Sequence, residues 1–181
     1  MDVELMEEKK LKAEAATLIT EFAQFRHEEG SIKVLDLACG KGRNGLWFAE
    51  RGHQVTFIDR SLAGLSNRPE NHLYLQWDLE DGSATALPVA EYDLILVFNY
   101  LHRPLFPQIR AALKPGGLIF YETFIDKQAE IGRPKNPKFL LKQGELKSEF
   151  AHWDCLHYFE GKIVNHASVS QKAQLIARKP D

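Results

Sequence analysis

Short apolar runs alternate along the chain with segments in which apolar residues recur at helical spacing. Five of these runs are rich in branched and aromatic residues and are bounded by polar or glycine-containing stretches, which is typical of buried strands. The predicted strands are Ile32–Ala38, His53–Asp59, His72–Asp78, Tyr92–Phe98 and Leu118–Phe124. Because helical segments separate them, they predict a parallel sheet with right-handed crossovers.

Three segments carry a clear helical pattern. The first, Glu4–His27, places its apolar residues on one face and is followed by Gly30 as a stop. The second is GRNGLWFAERG, which ends at Gly52, and the third is Pro104–Leu113, which ends at KPGG. The segments after the second and third strands predict only short, weak helices.

The C-terminal part of the chain has a different pattern. GELKSEFA, residues 144–151, predicts a helix. HWDCLHYFEG and ASVSQKAQLIARK then alternate like the two strands of an antiparallel pair. The sequence therefore predicts a parallel sheet that ends in an antiparallel hairpin.

Composition limits the class of protein. The 181 residues, 44% hydrophobic and 27% charged, predict one domain over 1–181, with an N-terminal helix in 1–30 and a core in 31–181. A net charge of −2 disfavours a surface for large nucleic acids. Two cysteines make no disulfide framework, no signal-peptide pattern opens the chain, and no apolar run approaches the roughly 18 residues of a membrane span. These features predict a cytoplasmic protein, and both a monomer and a homodimer stay open.

The stretch VLDLACGKGRNG contains Gly40-x-Gly42-x-x-Gly45 between the first strand and the next helix. Such a turn brings backbone N–H groups close to a ligand. A dinucleotide would place its pyrophosphate there, and the carboxylate of Asp36 would repel it. S-adenosylmethionine (SAM) has no phosphate and carries an ammonium and a sulfonium. The charge of Asp36 therefore favours SAM.

Two further acids end the next two strands. Asp59 is placed to accept both ribose hydroxyls of either cofactor, and Asp78 is placed to accept a hydrogen bond from an adenine amino group. Each acid alone has the alternative role of capping a turn or helix. Together with the glycines, the three acids predict a nucleoside site.

With these acids and glycines the sequence resembles the class I SAM-dependent methyltransferases. The motifs that carry the resemblance are VLDLACGKGRN, FIDRS, QWDLEDG, YDLILVFNYLH and LKPGGLIFYETF, in the family's order. The resemblance covers residues 32–179. It implies an α/β, Rossmann-like fold with a seven-stranded, mostly parallel sheet in the order 3-2-1-4-5-7-6, one strand antiparallel, and helices on both faces. One departure is Ala38, where the family commonly has glycine; alanine fits there if its φ is negative.

The segment FLLKQGELKSEFAHWDCLHYFEG and the closing AQLIARK further resemble the tellurite-resistance-type methyltransferases. Those enzymes act on small anions or thiol-like nucleophiles. This likeness implies a small-molecule acceptor for the methyl group, possessing anionic, thiol or chalcogen character.

Carried over position by position, the resemblance implies the residues of a SAM site. Those around the methionine part are Asp36, Ala38, Cys39, Gly40 and Gly42, with Asn44 beside them. Those at the ribose, the adenine and the ammonium are, in turn, Asp59 with Arg60, Asp78 with Leu79, and Asn99.

The residues expected near the methyl acceptor follow the fourth and fifth strands. Tyr100, Tyr121 and Phe124 lie at the carboxyl ends of strands, where ligands bind in open α/β sheets, and packing is their alternative role. His102 is the candidate general base because its unperturbed pKa of about 6.5 suits proton removal near neutrality. Arg103 is the second candidate catalytic residue, and a surface or capping role is the alternative for both.

The segment 126–142 carries five basic and two acidic residues, a net charge of +3. As a loop at the rim of the site, it is a candidate lid that attracts an anionic acceptor, with Arg133 as a candidate substrate residue. A solvated charged loop is the alternative.

The same residues bear on other functions. An NAD-dependent oxidoreductase that uses the glycine turn and a SAM-binding scaffold without activity both stay open. FNYLH, residues 98–102, lacks the Asn-Pro-Pro-Tyr type of signature found in methyltransferases that modify base amino groups. No metal is expected, because on a strand His152 points away from Cys155 and His157.

Overall fold

A computed structural model describes residues 14–22, 30–66, 68–82, 86–165 and 168–181. The strands are β1 (Lys33–Leu37), β2 (Gln54–Asp59), β3 (Leu73–Gln76), β4 (Tyr92–Phe98), β5 (Leu113–Phe124), β6 (Asp154–Asn165) and β7 (Ser168–Arg178). The α-helices are α1 (Thr17–Phe22), α2 (Arg43–Ala49), α3 (Phe106–Ala112), α4 (Gln128–Ile131) and α5 (Glu145–Glu149). Short 3-10 helices occupy Leu62–Gly64, Arg103–Leu105 and Pro137–Phe139.

The seven strands form one sheet in the order β3-β2-β1-β4-β5-β7-β6. β7 pairs antiparallel with both β5 and β6, and the other neighbours pair in parallel. The predicted order and the single antiparallel strand are confirmed.

Helices cover both faces of the sheet. On one face, Ile19 of α1 and Phe48 of α2 pack with Val34 of β1. On the other face, Ile109 of α3 packs in a cluster with Leu35 of β1. Burial of successive β1 residues on opposite faces explains why the parallel strands read as continuous apolar runs. No helix among the described residues is long and apolar enough to cross a membrane.

The N-terminal helix differs from its predicted span. Within the predicted Glu4–His27, the structure shows a helix over Thr17–Phe22, and residues 14–16 are not helical. Residues 4–13 and 23–27 of that prediction lie outside the described residues.

Two other predictions need correction. The short helix expected after the third strand is wrong for residues 79–82 and 86–91, where Gly82 and Ala90 take positive φ values of 74° and 48° that interrupt a helix. The fifth strand begins at Leu113 instead of Leu118, since KPGG belongs to the strand as an irregular stretch: Leu113 pairs with Tyr92 and Leu118 pairs with Leu94 on β4.

Candidate active site

The strand order reverses at β1 and β4, which leaves a crevice at the carboxyl ends of these neighbours. Loops that leave two adjacent strands in opposite directions separate there, and this is where open α/β sheets bind ligands. A cavity of about 360 Å³ lies at this position. Its lining residues are Ala38, Asp59, Arg60, Trp77, Asp78, Leu79, Glu80, Asn99, Tyr100 and Phe139.

The three glycines of the turn between β1 and α2 are needed for different reasons. Gly40 and Gly42 have φ values of 55° and 73°, in the left-handed region that favours glycine. A Cβ on Gly42 would also collide with the Leu65 side chain. Gly45 lies in the first turn of α2, and a Cβ there would collide with the Phe57 ring. The third glycine thus allows α2 to pack closely on the sheet.

Asp36 is buried beneath this turn and does not line the cavity. Its Oδ2 accepts a hydrogen bond at 2.8 Å from the backbone N–H of Gly45, one of the N–H groups that lack an intrahelical partner. Burial raises the pKa of Asp36 to about 7, against the opposing effects of this hydrogen bond and of Arg43. Asp36 therefore joins β1 to α2, and its contact with the methionine part of SAM stays a prediction.

Asp59, at the end of β2, supports the same turn from within the cavity. Its Oδ2 accepts from the N–H of Gly40 at 2.8 Å, and its Oδ1 accepts from the N–H of Ser61 at 3.0 Å. Each carboxylate oxygen keeps a further acceptor position for a ligand hydroxyl. Asp78 is fixed in a similar way, because its Oδ1 accepts from the N–H of Glu80 at 3.0 Å. The cavity therefore brings together the two acids predicted to hold the nucleoside.

Ala38 and Asn99, which follow β1 and β4, line the cavity with left-handed backbones, at φ values of 54° and 55°. The expectation of a negative φ at Ala38 is wrong. The chain turns sharply at each strand end, so that Cys39 N–H reaches the Ile58 carbonyl at 2.9 Å and Asn99 N–H reaches the Glu122 carbonyl at 2.8 Å. A left-handed backbone costs alanine on the order of 1 kcal/mol. Such strain at neighbouring strand ends is typical of functional sites.

Three aromatic residues contribute to the apolar part of the cavity lining: Trp77, Tyr100 and Phe139. The hydroxyl of Tyr100 is buried and lacks a hydrogen-bond partner of good geometry among the described residues. Burial, and then the nearby carboxylate of Glu80, raise the pKa of Tyr100 above its usual value. Tyr121 is fully buried, and its hydroxyl donates to the Tyr100 carbonyl at 3.1 Å. Tyr121 therefore supports Tyr100 from below.

Several residues predicted to bind the cofactor are not among the lining residues of this cavity: Asp36, Cys39, Gly40, Gly42 and Asn44. Asn44 is buried, and its Oδ1 accepts from the Ala16 N–H at 2.9 Å, which ties α2 to the segment before α1. Burial raises the pKa of the Cys39 thiol far above its usual value, so the thiol stays protonated at neutral pH.

Of the residues expected near the acceptor, Tyr100 lines the cavity, and the others are not among its lining residues: His102, Arg103, Tyr121, Phe124 and Arg133. His102 is half-buried before the 3-10 helix that starts at Arg103. The guanidinium of Arg103 forms an ion pair with Glu145, with 2.6 Å between Nε and Oε1. Phe124 is half-buried and Arg133 is exposed. Their roles toward an acceptor stay predictions.

The sequence reasoning missed three lining residues. Trp77 and Glu80 flank Asp78 and Leu79, so their neighbours in the chain already pointed to them. Phe139 had no such signal, because it reaches the cavity from the segment between β5 and α5. Its place depends on contacts with residues distant in the chain.

The chain is similar in sequence to known methyltransferases and to other curated proteins. A family described as a methyltransferase domain matches residues 34–117. The "Probable S-adenosyl-L-methionine-dependent methyltransferase TehB" of Haemophilus influenzae is 32% identical over 141 residues, which cover 71% of this chain and 48% of that protein. The protein named "Hemagglutinin 1" of Eikenella corrodens is 30% identical over 168 residues, covering 82% of this chain and 55% of that protein. The chain thus spans about half the length of these curated relatives.

A solved structure shares the fold over most of the chain. The crystal structure of TehB from Haemophilus influenzae matches with a TM-score of 0.76 at 23% sequence identity, and the match covers 94% of this chain and 65% of that chain.

Proposed function

The chain contains a class I SAM-dependent methyltransferase domain, and we propose that it transfers the methyl group of SAM to a small-molecule nucleophile. The observation that carries this proposal is the Asp59 carboxylate, which lies in the cavity at the switch point with one oxygen held by the Gly40 N–H at 2.8 Å. This arrangement presents an acceptor for ribose hydroxyls beside the glycine turn. SAM is accordingly the cofactor of this domain.

The hydrogen bonds of the glycine turn support a cofactor without phosphates. The N–H of Gly40 is bound to Asp59, and the N–H of Gly45 is bound to Asp36. A pyrophosphate would need free N–H groups of this kind, and here it would meet carboxylates. The same surroundings attract the positive charges of SAM, which argues against the NAD-dependent alternative.

The cavity also supports a direction for the bound cofactor. We assign the ribose to Asp59 and Arg60, and the adenine to Asp78 and Leu79. We assign the methionine part to the turn of Asp36, Ala38, Cys39, Gly40, Gly42 and Asn44, with its ammonium at Asn99. Ala38 and Asn99 lie at the ends of the two strands that flank the switch point.

The reaction is an in-line displacement at the methyl carbon of SAM. Bound SAM would supply an electrophilic methyl carbon: a lone pair of the acceptor would form the new bond to carbon while the carbon–sulfur bond breaks, and the electrons of that broken bond would neutralise the sulfonium to give S-adenosylhomocysteine. Most of the acceleration comes from alignment of the two reactants away from water. An acceptor that carries a proton must release it, and His102, which follows β4, is the proposed base.

The charge of the segment that reaches the cavity supports a proposal for the acceptor class. The net charge of +3 over residues 126–142 lies on the segment that also brings Phe139 to the cavity. A basic rim raises the local concentration of an anionic partner. This supports a small oxyanion, thiolate or chalcogen anion as the acceptor, with Arg133 among the residues that attract it.

Calorimetric titration of SAM and of NAD separately into the protein tests the cofactor. SAM should bind and NAD should not, and Asp59→Asn should weaken SAM binding by about tenfold or more because it removes a charged acceptor. Asp93→Asn is the matched control, since Asp93 also accepts a backbone N–H at 2.8 Å but lies near the amino end of β4. Binding of NAD without SAM, or equal SAM binding by Asp59→Asn, contradicts the proposal.

A transfer assay with radiolabelled SAM over oxyanions, thiols and small amines tests the acceptor. We expect product with an anionic or thiol acceptor. Product only with neutral amines contradicts the proposed acceptor class, and absence of all transfer by a SAM-binding protein favours the scaffold alternative.

A further inference from the structure

The apolar ring of Phe139 lines the cavity, and 42% of the residue's surface is exposed. It ends the 3-10 helix Pro137–Phe139, whose start is fixed by the Asn136 side chain accepting from the Lys138 N–H at 3.0 Å. Removal of an exposed apolar ring from water by a ligand lowers the free energy of the complex, and an ordered turn already holds this ring in place. The ring is therefore available to a bound ligand.

Arg103 holds the turn on both sides of Phe139. Its Nη1 donates to the Lys138 carbonyl at 3.2 Å and its Nη2 donates to the Leu140 carbonyl at 2.9 Å. The guanidinium also binds both oxygens of Glu145, at 2.6 Å from Nε and 2.9 Å from Nη2. The planar guanidinium supplies these donors in a fixed geometry that a lysine ammonium does not reproduce.

The Glu145 side chain fixes the other end of the arrangement. Its Oε2 accepts from the Lys142 N–H at 2.8 Å, and the carboxylate sits on α5. The pairing with Arg103 lowers the pKa of Glu145, so the pair stays ionised at neutral pH. Arg103 itself follows β4 closely after Asn99 and Tyr100, which line the cavity. The contact thus joins the two segments that bring Tyr100 and Phe139 to the same cavity.

We propose that Phe139 covers the adenine ring of SAM and that the Arg103–Glu145 pair is a positioning device for it; this rests on the proposed function. Adenine is the matching partner because Asp78 and Leu79, assigned to it above, line the same cavity as Phe139. Aromatic side chains stack on bases through their flat faces. The ribose and methionine regions offer instead the carboxylate of Asp59 and the amide of Asn99.

Calorimetric titration of SAM and of S-adenosylhomocysteine into the full chain tests this inference. Phe139→Ala should raise the dissociation constant of both ligands about tenfold, by loss of one stacking contact, and Phe139→Tyr should retain the affinity. Phe159→Ala is the matched control, since Phe159 is similarly exposed at 38% on β6. Equal affinity of wild type and Phe139→Ala in a protein that binds SAM overturns the inference, whereas failure of wild type to bind SAM overturns the proposed function itself.

A double-mutant cycle tests the positioning role. Arg103→Gln should weaken SAM binding several-fold, and the variant carrying both changes should bind no more weakly than Phe139→Ala, because Arg103 acts through the ring. Arg110→Gln removes a comparable pair with Glu149, 2.8 Å between Nη1 and Oε2, and should leave SAM binding unchanged. Additive losses in the double variant would overturn the role of Arg103. Phe139→Ala changes an exposed side chain, so its result decides the adenine contact even where Arg103→Gln fails to fold.

The kinetics of methyl transfer distinguish a contact of the Phe139 ring with the adenine from a contact of the ring with the acceptor. A higher KM for the acceptor with unchanged SAM affinity in Phe139→Ala would place the ring against the acceptor and overturn the inference. A higher KM for SAM alone supports it.

Discussion

The Asp36 carboxylate accepts the backbone N–H of Gly45 at 2.8 Å and is almost entirely excluded from water. This contact joins the end of β1 to the first turn of α2. Both residues belong to the glycine motif, and the motif is therefore a packing unit as well as a ligand site. A carboxylate in this position is sensitive to pH because burial opposes its charge.

Asp36→Asn should remove a pH dependence from the stability. Burial raises the folded-state pKa of Asp36 to about 7 from its ordinary value of 3.8, so the folded protein binds this proton more tightly than the unfolded chain does. Stability from this group is present below pH 4 and is lost as the pH rises toward 7. In urea unfolding, Asp36→Asn should gain stability relative to wild type between pH 5 and 8, by at most about 4 kcal/mol. Parallel stability curves for the two proteins would contradict the raised pKa.

Gly45→Ala should destabilise the fold although Gly45 lies in a helix. Alanine in a helix ordinarily gains about 1 kcal/mol over glycine, but here the Cβ would collide with Phe57 and come within 2.8 Å of Asp36 Oδ2. Overpacking of this kind costs about 1–3 kcal/mol. Gly64→Ala is the control, because its Cβ would meet Lys41 Cγ at an ordinary 3.4 Å. Thermal unfolding checks both variants. A Gly45→Ala protein as stable as wild type would show that α2 can move away from the sheet without loss of stability.

Ala38→Gly should leave stability unchanged or raise it by up to about 1 kcal/mol. Glycine relieves the strain at a φ of 54°, and the gain is partly offset by its larger entropy in the unfolded chain. Ala90→Gly is a matched control, since Ala90 has a φ of 48° and does not line the cavity. Ala38→Val should lose about 2 kcal/mol or more, because a branched residue fits this backbone poorly. Calorimetric melting compares the three variants, and a stable Ala38→Val would argue against a strained backbone here.

Lys172→Met should destabilise the protein by about 3 kcal/mol by leaving a buried carboxylate unpaired. Lys172 Nζ lies 2.7 Å from Glu122 Oε1, and the two side chains are 10% and 9% exposed. Combining it with Glu122→Gln should recover part of the loss, since no charge is then left unpaired. Lys33→Met, at the exposed pair with Glu91, should change stability by less than about 1 kcal/mol. Similar losses for both lysine variants in urea unfolding would show that burial does not govern the effect.

The three acids at the strand ends show which features of the site the local sequence pattern predicts. Asp59 and Asp78 end neighbouring strands, and parallel strands bring their carboxyl ends to one edge of the sheet, so both line the same cavity. Asp36 follows the same reasoning but lies beneath the turn, because its side chain points to the α2 face of β1. The sequence shows where a strand ends. Whether the side chain at that end faces the cavity or is buried depends on the helix that packs against the strand.

Arg103 and Phe139 show the other limit. Arg103 carries a charge after β4 and resembles a catalytic residue in the sequence, yet its guanidinium is bound to Glu145, which lies 42 residues later. Phe139 has no pattern that separates it from a surface residue of a charged loop. Neither position follows from periodicity, because the partners come together only after the crossover from β5 to α5 is in place.

By itself the sequence determined the approximate strands, their mainly parallel pairing, the glycine turn and the acids at the strand ends, since burial of apolar runs and turn chemistry act over a few residues. The order of the strands in the sheet was implied by the family resemblance. The tertiary structure alone decided that Ala38 takes a left-handed backbone, that Asp36 supports the turn, and that Phe139 faces the cavity. These depend on hydrogen bonds and steric contacts between distant segments, whose directions are fixed only when the helices pack on the sheet.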